Sequence, residues 1–346
     1  MLPRYEQTAT LPTLKTGYTE TRRGLNVEQD RSRKEATMKP PVSRPYLHPD
    51  DLQSVINLIL ACRTAERIDP WPPAHDIRAR LGADDDARLW IDECNRPVAF
   101  AMIWEGNVFL YFALPRASDE TLEAQAITWA TMRARASADQ HGERAVLCVP
   151  VRDDDPYRAA LLARAGLRCE EWHMIRMRRW LHLPIADLPV PAGFTLRPAS
   201  GESEAPALVD LHHAAFATAS ETVAERVTWM RSPAYDPRLD LVAVAPDGAL
   251  AAFCRCSVCV EENTHLGFAS AWVDLIGAHP ACRRHGLGRA LLLLALRNMR
   301  DMGFAQALLS VGSWNTPAQH LFDSCGFVAI CRIFWHVYDE EMEMAV

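Results

Sequence analysis

The strongest constraint on this chain is that one order of elements can be read in it twice. From residue 42 the apolar periodicity predicts a strand over 42–47 and a helix opened by Pro49-Asp50-Asp51, with Leu52, Val55, Ile56 and Ile59 on its apolar face. A second helix over 74–81, then strands over 88–93, 98–104 and 108–114, follow. A long helix over 118–137, capped by Ser118 or Asp119, precedes a buried strand over 144–149, a helix over 155–164 and a strand over 174–180. Pro184, Pro189 and Pro191 then space a connector, 181–193, expected to be stiff and extended.

After the connector the order restarts. A strand over 194–197, helices over 204–216 and 222–231, and a hairpin of 240–245 with 249–258 around Pro246-Asp247-Gly248 come first. A strand over 272–278, a helix over 289–302 stopped by Gly303, a strand over 305–311, a helix over 316–324 and a closing strand over 327–338 complete it. Punctuation recurs at matching offsets: Arg44-Pro45 with Arg197-Pro198, Pro115 with Pro280, and Ala165-Gly166 with Cys325-Gly326. Two copies of one α/β unit, 42–180 and 194–346, explain this most economically. Residues 1–41 are polar and aperiodic; they are expected to be a disordered extension, or an early start with Met38 as the true one.

Composition narrows the function classes. Lys plus Arg number 37 and Asp plus Glu 44, a net −7 that argues against a protein bound to nucleic acid through a basic surface. The longest leucine run, 291–294, is far short of the ~20 apolar residues a membrane span needs. The N-terminal segment has no apolar h-region, so a cytoplasmic protein, monomer or homodimer, is expected. The ten cysteines then stay reduced. Cys254-Arg-Cys256-Ser-Val-Cys259 lacks a downstream His or Cys pair at metal-site spacing and reads as small buried hydrophobes; no metal is expected.

Chemistry concentrates in Ile276-Gly-Ala-His-Pro280-Ala-Cys-Arg283-Arg284-His-Gly286-Leu-Gly288-Arg289, which leaves a strand and enters a long helix. Two glycines permit a tight turn and close approach of a ligand, and the first helical turn offers free N–H groups and a positive dipole end. With Arg283, Arg284 and Arg289 beside it, this is an anion cradle suited to a pyrophosphate. A P-loop would need Gly-Lys-Ser/Thr at its end, and a dinucleotide fingerprint would need a glycine where Leu291 stands.

Arg283-x-x-Gly286-x-Gly288 fills the R/Q-x-x-G-x-G/A pattern, and Asn315-x-x-Ala318-x-x-Leu321-Phe322-x-x-x-Gly326-Phe327 follows at the expected distance. On both motifs the chain resembles the GNAT superfamily of acyl-CoA-dependent N-acetyltransferases, in the tandem form of the mycothiol synthase-like group. The resemblance is specific over 194–338 and degenerate over 42–180. It implies two GNAT-like domains in tandem, each a mixed, mostly antiparallel twisted sheet flanked by helices. It further implies a transferase carrying an acetyl group from acetyl-CoA to a small-molecule amine by direct attack. A protein or peptide amine, or a CoA-binding sensor without turnover, are the alternatives.

The same resemblance assigns roles. Backbone groups of Ile276 and Ala278 would pair with the pantetheine arm, and the Ala278 N–H would polarise the thioester carbonyl. Arg283, Arg284, Gly286, Gly288 and Arg289 would hold the pyrophosphate, and Asn315 the pantetheine or thiol end. Where the family has a tyrosine that protonates the leaving thiolate, this chain has Phe322; Cys325, Ser324, Tyr338 or water are the substitutes. Asp274, expected on the strand face of Trp272 and Ile276 by period-two alternation, is either the base that takes the amine proton, directly or through water, or a structural or solvated strand-end residue. Glu261, Glu262 and His265, in a polar loop, are weaker candidates. Trp229, Trp272, Trp314 and Trp335 are core residues or line the acceptor pocket.

In the first half the cradle position reads Ala113-Leu-Pro115-Arg-Ala-Ser118-Asp119-Glu120, without glycine and with carboxylates where a phosphate would sit. That half is expected not to bind acyl-CoA in the usual way and instead to help shape the acceptor site.

Overall fold

In both halves the same local interactions rebuild the same unit. The computed structural model describes residues 39–64, 72–82, 87–115, 120–142, 144–187 and 190–340. Nearly all of the expected extension, the caps Ser118 and Asp119, and the acidic Glu341 and Glu343 lie outside these residues.

The first half runs β1 (Val42–Pro45), α1 (Leu52–Ala61), α2 (Ala74–Arg80), β2 (Ala87–Ile91), β3 (Pro97–Trp104) and β4 (Val108–Ala113). It continues through α3 (Glu120–His141), β5 (Val146–Arg152), α4 (Pro156–Arg164) and β6 (Arg168–Trp180). The second half runs β7 (Thr195–Pro198), α5 (Ala205–Phe216), α6 (Val223–Met230), β8 (Asp240–Val244), β9 (Leu250–Ser257) and α7 (Val260–Leu266). Then come β10 (Ser270–Ala278), α8 (Leu287–Asp301), β11 (Gln306–Gly312), α9 (Thr316–Ser324) and β12 (Val328–Asp339). The helix α7 replaces the polar loop expected there. It is short and carries no apolar stripe, and its Glu262 is buried against Arg63 at 2.5 Å.

The recurring punctuation has a structural meaning. Arg44 forks onto Asp51 and bonds the Pro45 carbonyl; Arg197 does the same with Glu204 and the Pro198 carbonyl. Gly166 and Gly326, with φ of 86° and 83°, end α4 and α9 in the left-handed region that favours glycine. Asp155 and Asn315 cap those two helices through the N–H three residues on.

The twelve strands of the described residues form one sheet, ordered β1-β2-β3-β4-β5-β12-β6-β11-β10-β9-β8-β7. The closing strands of the halves are exchanged: β12 extends β5, and β6 extends β11. Among the described residues β4–β5 and β10–β11 are parallel and the other pairs antiparallel. The sheet is therefore mixed and mostly antiparallel. Helices bury separate cores on it, with Leu291, Leu292 and Leu296 of α8 fully buried over β8 to β11, beside Cys254 and Cys256 of β9. Leu181 of the connector lies in the second-half core, and the Pro184 carbonyl accepts from Arg179 of β6.

Candidate active site

The site begins where two strands part. β10 pairs with β11 only from Ser270 opposite Gln306 to Val273 opposite Leu309, then runs on to Ala278 against β9 alone. A bulge at Asp274, between Val273 opposite Cys256 and Leu275 opposite Arg255, kinks the strand at the parting. Beyond it the His279 N–H donates to the Ala251 carbonyl, so Ala278 and Ala252 form a non-hydrogen-bonded antiparallel pair. The N–H and carbonyl of Ala278, and by the same register of Ile276, therefore point away from β9, along the open edge.

The bulge also corrects the expected alternation. Ile276 packs with Val273 under α8, while Trp272 packs with Leu308 and Cys259 on the opposite face. Asp274 opens onto the cleft with Trp272 and does not share a face with Ile276.

The open edge leads into the loop. Arg284 and Gly286 lie at φ of 67° and 78°, curling the backbone before α8. A Cβ on Gly286 would meet nothing within 4 Å, so the turn faces free space. α8 has no side-chain cap and no acidic residue in its first turn, and its first internal bond runs from the Ala290 N–H to the Gly286 carbonyl. The preceding amides, Gly288 and Arg289 among them, are left to a ligand. The Arg284 side chain is exposed and that of Arg289 half-buried. Arg283 is used differently from a free countercharge: its Nη2 donates to the Ala215 carbonyl at 2.8 Å, tying the loop to the end of α5. An acid-free helix start behind a left-handed turn has the donors and the space a pyrophosphate requires.

The second motif lies across the gap. Asn315 uses its Oδ1 to cap α9, accepting from the Ala318 N–H at 3.2 Å. Phe322 is buried in the core beneath α8, edge-on to Phe327 at 5.9 Å. The Tyr338 hydroxyl accepts from Arg135 in the first-half core and is not at the cradle. Ser324 donates to the Leu321 carbonyl at 2.7 Å. Because its ring is packed, Phe322→Tyr is expected to lower stability by about 1–3 kcal/mol, the cost of a buried hydroxyl without a partner. A denaturant midpoint checks this; an unchanged midpoint with faster CoA release would place the new hydroxyl at the leaving group instead.

At the inner end of the gap lies a cleft of about 410 Å³, formed by both halves. Asp274 stands on its floor, its Oδ1 accepting from Ser257 Oγ at 2.9 Å. The carboxyl is open to the cleft but ringed by protein, and this desolvation pushes its pKa up to about 7; Ser257 and Arg255 oppose the shift, and Asp76 adds to it. Arg255 is held by Glu221 and lies over the Trp229 ring, while Arg176 lies over Trp272. Asp76 comes from α2 of the first half, which Glu262 anchors by accepting from the Ala74 N–H and from Arg63. Burial raises Asp76 as well, against the attraction of His75. Sequence reasoning did not bring Asp76, Arg176, Arg255 or Ser257 to this site. Arg176 is one of three arginines in the strand 174–180, so the sequence did not single it out.

The parted strand pair, the uncapped start of α8 and the Asp274 carboxyl thus share the β10 edge, and the known proteins this chain is similar to are acetyltransferases. Residues 206–327 match the family described as "Acetyltransferase (GNAT) family". A mycothiol acetyltransferase of Segniliparus rotundus is 31% identical over 198 residues, 56% of this chain and 73% of that protein. One of Kineococcus radiotolerans is 41% identical over 182 residues, but those cover only 56% of its length. One of Thermobispora bispora is 27% identical over 291 residues, 81% of this chain and 93% of that protein. The chain belongs to the GNAT acetyltransferase family. In fold it is similar to a GCN5-related N-acetyltransferase from Sphaerobacter thermophilus (TM-score 0.68, 20% identity, 87% and 96% covered). It is also similar to a tandem GNAT protein from the clavulanic acid biosynthesis pathway (TM-score 0.63, 18% identity, 86% and 98% covered).

Proposed function

We propose that this chain transfers the acetyl group of acetyl-CoA to the amine of a small molecule, by direct attack in a ternary complex. The observation that carries this reading is the continuous path along the free edge of β10, from the uncapped start of α8 to the Asp274 carboxyl. The amides at Gly286, Gly288 and Arg289, with Arg284, hold the pyrophosphate, and Arg283 fixes the loop that presents them. The pantetheine amides pair with Ile276 and Ala278, the Asn315 amide nitrogen serves the same arm, and Phe322 supports it from the core. The Ala278 N–H stabilises the oxyanion as the neutral amine attacks. Asp274 takes the amine proton, directly or through water, and the CoA thiolate leaves to solvent because no hydroxyl stands at the Phe322 position.

Under this reading 194–346 is the catalytic domain, and 42–180 is a degenerate copy joined by 181–193. The relatives' name, mycothiol acetyltransferase, supports a low-molecular-weight acceptor over a protein. The test is CoA release with a panel of small amines and, separately, peptides. Turnover of the small amines is expected; acetyl-CoA binding without turnover of either class overturns the proposal in favour of a sensor. Calorimetry is expected to give one equivalent of acetyl-CoA per chain. The reason is that α3 of the first half begins with Glu120 and Glu123 where α8 begins without acids. A second equivalent would give the first half a nucleotide site of its own.

A further inference from the structure

The first half keeps the gap although its cradle is gone. β4 and β5 pair at a single position, Val108 opposite Cys148, and then part, as β10 and β11 do. The opening is a cleft of about 520 Å³, larger than the one at Asp274. Its walls are aromatic: Phe109 and Tyr111 from β4, Trp172 from β6 and Trp335 from β12. Trp172 and Trp335 stand 5.7 Å apart, and Trp172 is 40% exposed. Exposed indole of this size is unfavourable in water and gains when a flat apolar group covers it.

Two observations decide what that group belongs to. Two of the cleft's arginines are paired within the protein, Arg158 with Glu123 at 2.7 Å and Arg152 with Asp154 at 2.8 Å, and the acidic start of α3 repels phosphate. Moreover, Arg176 and Ser310 line both this cleft and the cleft at Asp274. The exchange of β6 and β12 makes this possible, because it sets the two gaps side by side across the central strands.

We propose that the β4–β5 gap receives the distal, flat apolar part of the acceptor whose amine lies at Asp274. The inference rests on the amine-acetylating function proposed above and names its substrate class: an elongated amine with an aromatic or similarly planar tail. The former cofactor slot of the first half has become the tail site of the acceptor.

The test uses the full chain with acetyl-CoA and three phenylalkylamines: 2-phenylethylamine, 4-phenylbutylamine and 6-phenylhexylamine. In the unaltered protein kcat/KM is expected to rise about ten-fold at one of the longer tails, as expected for one added aromatic contact. In Trp172→Ala the ratio of long to short amine is expected to fall to about one, and Trp172→Phe is expected to restore it. A flat length profile with turnover, or an unchanged ratio in Trp172→Ala, overturns the inference and leaves the proposed function standing. Absence of CoA release with every amine overturns both. A second equivalent of acetyl-CoA that Trp172→Ala abolishes would return the gap to the nucleotide and also overturn it.

Discussion

Gly286→Glu is expected to abolish acetyl-CoA binding and, with it, CoA release, by at least about 100-fold. Two costs combine at this position. Gly286 sits at φ 78°, where an L-residue costs roughly 1–2 kcal/mol, so a substituted loop relaxes away from the turn that aims its amides at the ligand. The added carboxylate then stands at the start of α8, where the helix dipole and the uncapped amides are poised for an anion of the ligand. Because the space beyond Gly286 is empty, the side chain fits without disturbing the core, so stability should fall only modestly. Gly286→Ala separates the two costs: it carries the backbone strain without the charge and should retain weakened binding. Calorimetry with acetyl-CoA checks both variants. Equal affinity in Gly286→Glu and the unaltered chain would remove the pyrophosphate from this loop.

The left-handed turn and the bare start of α8 were legible in the sequence because glycine spacing and a strand-to-helix transition are local properties. The repeat was legible for the same reason: each Arg-Pro pair bonds an acid seven residues later, within one stretch of chain. What lay hidden is what depends on pairing between distant segments. The bulge at Asp274 is set by the register of β10 on β9, and it rotates Ile276 to the other face against a simple period of two. The cleft at Asp274 takes Asp76 from α2, held through Glu262, Arg255 from β9, and Arg176 from β6, which the exchange of closing strands sets beside β11. Glu262 was misplaced in a loop because its value lies in a buried partner, Arg63, 199 residues away in the chain. Phe322 carried a family motif position, yet its surroundings make it a core residue first.

Asp274→Asn is expected to lower kcat/KM by roughly 10²–10⁴-fold, the span of general-base catalysis by a positioned group, while acetyl-CoA affinity stays the same. The pH dependence distinguishes this from loss of a structural contact. With a pKa of about 7, the carboxyl is a competent base only when ionised, so activity should rise with pH through 7 and level off above it. The acceptor amine titrates too, so the quantity to follow is the ratio of the unaltered chain to Asp274→Asn, in which that titration cancels. The ratio should climb between about pH 6 and 8. Stability should move oppositely. The carboxyl binds its proton more tightly in the folded chain than an unfolded aspartate does, at about 3.9. The folded state therefore loses stability as pH rises from 4 through 7. Asparagine removes that loss, so its melting temperature should exceed that of the unaltered chain at pH 8 and match it near pH 4. A variant slower at every pH by one constant factor, with no gain in stability at pH 8, would make Asp274 a bystander held by Ser257.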